Sequence, residues 1–176
     1  MADQMGDFFA IASDILTTTD FDDSEKFYQM VLETKSGQES GIVGAGHSYA
    51  ARRLSAQRTV AGWVNEQMGG YANMEYTRAL EKRVKEDWAS VLADLKELQG
   101  LVLHRKGSIV NLTGAEAPLY AAVEGPVADF LGCLTEGGAP QASWEIAEAP
   151  ADEALLVPTQ VNYVGKAANL YQDAGS

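Results

Sequence analysis

The chain has 176 residues, 46% of them apolar and 22% charged, and a formal net charge of −12. That length suits one ordinary domain, and the apolar share is enough for a core. The negative charge disfavours nucleic acid and anionic membrane as partners, because both need clustered positive charge; it is compatible with basic peptides or with simple solubility. No run approaches the roughly 18 apolar residues of a membrane span. The acidic N-terminus carries neither the basic n-region of a secretory signal nor an Arg-rich transit peptide. Cys133 is the single cysteine, which rules out an internal disulfide and a cysteine-rich zinc module.

Taken in chain order, residues 3–18 read as an amphipathic helix, with Met5, Phe8, Phe9, Ala12, Ile15 and Leu16 on one buried stripe. Asp22 with Glu25 three places on forms a capping-box-like start for a second helix, whose inner face is Phe27, Met30, Val31 and Thr34. Gly37, Gly41 and Gly44 predict fraying or a bend, since each costs about 1 kcal/mol relative to alanine. A proline-free stretch from Gly46 to Gly70 then predicts an uninterrupted helix. Ser48 would cap it, Ala51, Leu54, Arg58, Ala61 and Asn65 would share one face, and Gly69 and Gly70 would end it at positive φ. Asn73 is placed to cap the next helix, with Met74, Thr77, Leu80, Glu81 and Val84 in register. Asp87 opens a new turn, and Trp88, Val91, Leu92, Leu95, Leu98 and Val102 form the clearest apolar stripe of the chain. Gly107 stops this pattern, with Arg105 and Lys106 where cations suit a helix C-terminus.

Ser108 to Thr113 reads as a short β-branched strand. Pro126 to Leu134 predicts a short helix, and Gly137 to Pro150, rich in Gly, Pro and acid, reads as a linker and the most mobile internal segment. Structure resumes at Ala154 to Val157, and Thr159 to Val164 alternates like a strand, with Pro158 favouring an edge or a bulge. The fold class expected is α+β, a mainly helical block packed with few strands.

Two strings carry more than periodicity. Gly46-His47-Ser48-Tyr49-Ala50-Ala51, and then Ala61-Gly62-Trp63-Val64-Asn65-Glu66-Gln67-Met68-Gly69-Gly70, resemble the presequence proteases, a branch of the pitrilysin/insulinase-type zinc metallopeptidases. The resemblance continues upstream through Asp22 to Phe27 and Met30 to Lys35. Downstream it takes in Asp87-Trp88, Arg105-Lys106-Gly107, Val110 to Thr113 and Pro158 to Ala167, weakening over residues 115–154. It implies a four-domain clam shell around a closed chamber. Residues 1–113 would be the helical and final-strand part of the third domain, 114–153 an inter-domain connection, and 154–176 the opening of the fourth. It further implies a parent enzyme that uses zinc to degrade short unstructured peptides, such as cleaved organellar targeting peptides, in the mitochondrial matrix or chloroplast stroma. This part would be chamber wall and scaffold, with the enzyme's remaining domains and peptide substrates as partners. The alternative is a non-catalytic interaction or scaffold domain of the same descent.

The residues themselves offer little chemistry. The family's zinc site is His-x-x-Glu-His on a helix, where histidines one turn apart share the metal and the Glu acts as base. His47 and His104, the two histidines, stand in no such pattern. A site from His47, His104 and a distant acid competes with plain capping or packing roles. Cys133 sits in what reads as helix core, without an activating base nearby. Gly41 to Gly46 lacks the Lys-Ser/Thr of a phosphate loop, and Asn111-Leu112-Thr113 matches a glycosylation sequon that arises often by chance. Glu66-Gln67 is the most tempting polar pair: it would either line a chamber or, as the more ordinary reading has it, lie on a solvated helix end. No residue is therefore assigned a catalytic or metal-binding role, and the substrate-binding residues are unknown from sequence.

Overall fold

The computed structural model describes residues 2–114, 119, 123–138 and 152–168. The elements are α1 (Ala2–Thr18), α2 (Ser24–Ala56), α3 (Val60–Gly69), α4 (Tyr71–Glu86), α5 (Trp88–Val102) and α6 (Pro126–Cys133). Two compact units result, one from Met1–Asp23 with Ala89–Ala142, the other from Ser24–Trp88 with Ser143–Ser176. The linker expected at Gly137 to Pro150 falls mostly outside the described residues.

In the first unit α1 packs on α6 through Phe9, whose ring lies 5.5 Å from that of Phe130. Thr17 and Thr18 turn their hydroxyls back to the carbonyls of Ser13 and Asp14, both at 2.8 Å, a bonding mode that competes with helix continuation. α6 begins at Pro126, whose missing N–H costs nothing in a first turn. Arg105 donates to the Leu131 carbonyl at 3.0 Å, so this cation serves the C-terminal end of α6 rather than of α5. The stripes expected on α1 and α5 are only half covered. Phe9 and Val91 are buried, while Phe8, Ile15, Leu98 and Val102 lie more than half exposed.

The expected strands are absent among the described residues, where β pairing is limited to one isolated bridge between His104 and Thr135. Ser108 to Thr113 is irregular after a turn at Gly107, which takes φ 87°. Thr159 to Val164 is extended without a ladder. The cause is physical: a strand persists only by exchanging N–H and C=O bonds with a neighbour, and neither segment has one among the described residues. The described fold is mainly helical, which corrects the α+β expectation to that extent.

In the second unit α2 and α4 run antiparallel. Lys35 pairs with Glu81, Gln38 with Asn73, and Glu39 with Arg78, so numbers rise along one helix as they fall along the other. Between them Val31, Ile42, Met74, Thr77 and Val84 are buried. α2 runs on through its three glycines and yields only at Ala45, where φ −125° and ψ 27° kink it. Helix packing along α4 offsets the intrinsic cost of the glycines.

The uninterrupted helix expected from Gly46 to Gly70 is instead two. α2 ends at Ala56, and Thr59 adopts an extended conformation and caps α3, its hydroxyl accepting from the Gly62 N–H at 2.9 Å. Ser48 lies inside α2 and caps nothing, and Asn73 lies within the first turns of α4. Gly69 and Gly70 do not use positive φ; Gly70 is extended at φ −96° and ψ −158°.

Candidate functional site

The polar centre of the second unit is Glu66, in the last turns of α3, and it is fully buried. The ordinary reading of the sequence puts Glu66-Gln67 on a solvated helix end. Gln67 is exposed accordingly, but Glu66 points the other way, into the packed junction. Its Oε1 accepts from the Arg53 guanidinium at 3.2 Å and from the Ala72 backbone N–H at 3.0 Å. The second bond caps α4, whose Gly70 has no side chain to do so. One carboxylate therefore ties α2, α3 and α4 together. Its position is favourable because the N-terminus of α4 is the positive end of the helix dipole. Oε2 is buried without a protein hydrogen-bond partner. A Cβ on Gly70 would overlap that oxygen, so glycine is required here by close approach, not by backbone angle.

Arg53 also chelates Glu153 on the extended segment, Nε to Oε2 at 2.8 Å and Nη2 to Oε1 at 2.5 Å. The Glu153 and Glu66 carboxylates together raise the Arg53 pKa, Glu153 most. Beside this junction an open groove of about 530 Å³ is lined by Arg52, Ser55, Gly62, Asn65, Met68 and Gly69. Arg52 donates across it to the Gly69 carbonyl.

Between α2 and α4 a second cluster surrounds Glu81. Lys35 lies 2.7 Å away, Lys85 3.1 Å, and the Tyr28 hydroxyl 3.3 Å. Hydrogen bonds from Lys35 and Lys85 hold the Glu81 carboxyl down to about 2 from an ordinary 4.5. A depressed acid adds stability above its unfolded pKa and loses that contribution as pH falls through the folded value. The stability gap between the wild-type chain and Glu81→Gln should thus be constant above about pH 5 and close as pH falls from 4.5 toward 2. Thermal melts of both chains across that range check this; a gap that persists unchanged at pH 2 would refute the assignment.

The residues singled out in the sequence are not brought together. His47 lies in the second unit, exposed, its ring 5.6 Å from that of Tyr163. His104 lies in the first unit, its Nδ1 buried without a protein partner. Cys133 is exposed at the end of α6, its thiol directed to the Asp129 carbonyl at 3.4 Å. Asn111 is exposed. Gly41 to Gly46 is helical apart from the kink. Among the described residues no group of three His, Cys, Asp or Glu side chains could hold a metal ion. Sequence reasoning misses Arg53, Glu153 and Glu81; nothing local in the sequence marks a pair 100 residues apart.

What the arrangement supplies is architecture: helices locked by a buried ion pair, with a grooved face and an attached extended segment. Residues 1–80 match the family described as Peptidase M-16C associated, and the chain belongs to this peptidase-associated family. Within it the relation is to the presequence proteases. Presequence protease 1, chloroplastic/mitochondrial, of Arabidopsis thaliana is 40% identical over 174 residues, which is 97% of this chain and 16% of that protein. Protein HypA of Clostridium perfringens is 24% identical over 160 residues, 90% of this chain and 16% of that protein. The mitochondrial presequence protease of Candida albicans is 29% identical over 99 residues, 51% of this chain and 10% of that protein. The chain thus spans 16% of the length of the Arabidopsis and Clostridium relatives.

Proposed function

We propose that this chain is a structural part of a presequence-protease-like zinc metallopeptidase that degrades short unstructured peptides, including cleaved organellar targeting peptides. The observation that carries the reading is the 40% identity to the Arabidopsis relative over 97% of the chain. On this reading residues 1–113 belong to a third-domain-like region, 114–153 to an inter-domain connection and 154–176 to the start of a fourth. The zinc and its base reside in other parts of the enzyme, and this part forms wall and scaffold of the peptide chamber. Its partners are the enzyme's remaining domains and its peptide substrates, and its compartment is the mitochondrion or the chloroplast, as the relatives' names have it. The exposed apolar side chains Ile109 (93%) and Val164 (98%) support the reading, because unpaired strand-like segments of this kind are completed by a neighbouring sheet.

A segment exchange tests it. The matching 174 residues of the Arabidopsis relative are replaced by those of this chain, and cleavage of a fluorogenic basic peptide is followed. The chimera should cleave in a chelator-sensitive way. This chain alone, with zinc added, should neither cleave nor hold one zinc per chain in metal analysis after dialysis, since its two histidines and one cysteine make a poor ligand set. Chelator-sensitive turnover by the chain alone, or a well-folded chimera without activity, would refute the scaffold role.

A further inference from the structure

The extended segment 152–168 follows the C-terminal half of α2 and the turn after it. Tyr163 lies against Gly46, where a Cβ would stand 2.9 Å from the ring, and beside the His47 ring. Two residues on, a Cβ at Gly165 would come within 2.7 Å of Leu54. Two further on, the Ala167 carbonyl accepts from Arg58 at 3.0 Å. Upstream, Glu153 is chelated by Arg53. From Tyr163 to Ala167, helix and segment thus run in the same direction with matched contacts. A glycine on the helix receives an aromatic ring, a glycine on the segment admits a leucine, and two arginines hold a carboxylate and a carbonyl.

The fit is close but the hold is light. Tyr163 remains 41% exposed and Val161 51%. The main-chain amides that bond locally are those of Thr159, to the Val157 carbonyl at 2.8 Å, and Val161, to the Thr159 hydroxyl at 3.3 Å. No ladder fixes the segment in place among the described residues. Ion pairs that water can still reach are weak individually, so release is inexpensive.

We propose that the stretch from Gly46 to Arg58 is a binding track for an extended peptide, occupied in this chain by its own residues 153–167. The peptide it takes carries an aromatic side chain for the Gly46 notch, a small residue two places later and an acidic group toward Arg53. The inference rests on these contacts and is independent of the peptidase reading. Occupation in cis is favoured by an effective concentration that short tethers bring to the millimolar range, so a free peptide competes only when the segment is loosened.

The probe is a fluorescein-labelled synthetic peptide of residues 153–167, titrated against the full chain by anisotropy. The doubly substituted chain Glu153→Gln/Tyr163→Ala should bind it at least tenfold more tightly than the wild-type chain. The same peptide carrying Tyr163→Ala should lose that affinity, as should the opened chain carrying Gly46→Val, with helix content checked by circular dichroism. The substituted peptide keeps the test valid should Gly46→Val unfold. Equal binding to wild-type and opened chains, no binding to the opened chain, or undiminished binding of the peptide lacking its tyrosine would each overturn the proposal.

Discussion

Replacing Glu66 by leucine should lower the stability of the chain by about 3–5 kcal/mol, the cost of breaking a buried ion pair and stranding one partner. Three losses coincide. Arg53, only 20% exposed at its side chain, loses its buried counter-charge; the Ala72 N–H loses its cap; and the branched leucine meets Gly70 where the carboxylate stood. Glu66→Gln should be milder, because an amide oxygen can still accept from Ala72 while the charge is lost. Urea unfolding followed by circular dichroism measures both. Coupling to Arg53 is read from the double-mutant cycle with Arg53→Met. A cost below about 1 kcal/mol for both Glu66 variants would show that the carboxylate is a passenger of the packing rather than its key.

Glycine-to-alanine substitutions should change stability with opposite sign along one chain. At Gly62 a Cβ would overlap the Ser55 carbonyl oxygen and stand 2.5 Å from its carbon. These are main-chain atoms and cannot swing aside, so α3 must move off the end of α2. Gly62→Ala should cost about 3 kcal/mol, the upper end of what overpacking a core does. At Gly37 and Gly41 nothing lies within 4 Å of the added carbon. There the gain in helix propensity stands alone, and Gly37→Ala or Gly41→Ala should each stabilise by about 1 kcal/mol. Denaturation midpoints of the three single variants decide the matter. A stabilising Gly62→Ala would mean that α2 and α3 do not approach as described.

The helices are legible in the sequence because their signals are local. The apolar spacing of α1, α4 and α5, the proline opening α6 and the turn at Gly107 all act within a few residues. The break at Gln57 to Thr59 is not legible. A threonine within a proline-free run reads as helix until its hydroxyl is seen to cap, and the reason for the break, Gly62 lying on the Ser55 backbone, is tertiary. The same holds for Gly70, where the pattern of a helix-ending glycine is right and its physics is not: space for Glu66, rather than positive φ, is what it supplies. The strands fail for the converse reason. Alternation at Thr159 to Val164 records a preference, and a preference becomes a strand only where a neighbour completes it. Of the polar centre, Glu66 stands out as a residue of interest, but its direction is unreadable. Arg53 and Glu153 meet only because the chain returns to α2 after 100 residues.

That return shapes how the chain can be assembled. Each unit is drawn from two separated stretches, and the stretches interleave: the second unit opens at Ser24 before the first has its Ala89–Ala142 portion, and it closes only with Ser143–Ser176. A ribosome delivers residues in order, at about 5–20 per second. α1 therefore emerges first and waits for α6, its packing partner, through the synthesis of the helices between them. α2, α3 and α4 are consecutive and can lock around Glu66 as soon as Ala72 has cleared the exit, whereas the Arg53–Glu153 contact waits for the rest of the chain up to Glu153. Over that interval the apolar side of α1 is a nascent-chain surface without its intramolecular cover, the period in which a holding chaperone has most to protect.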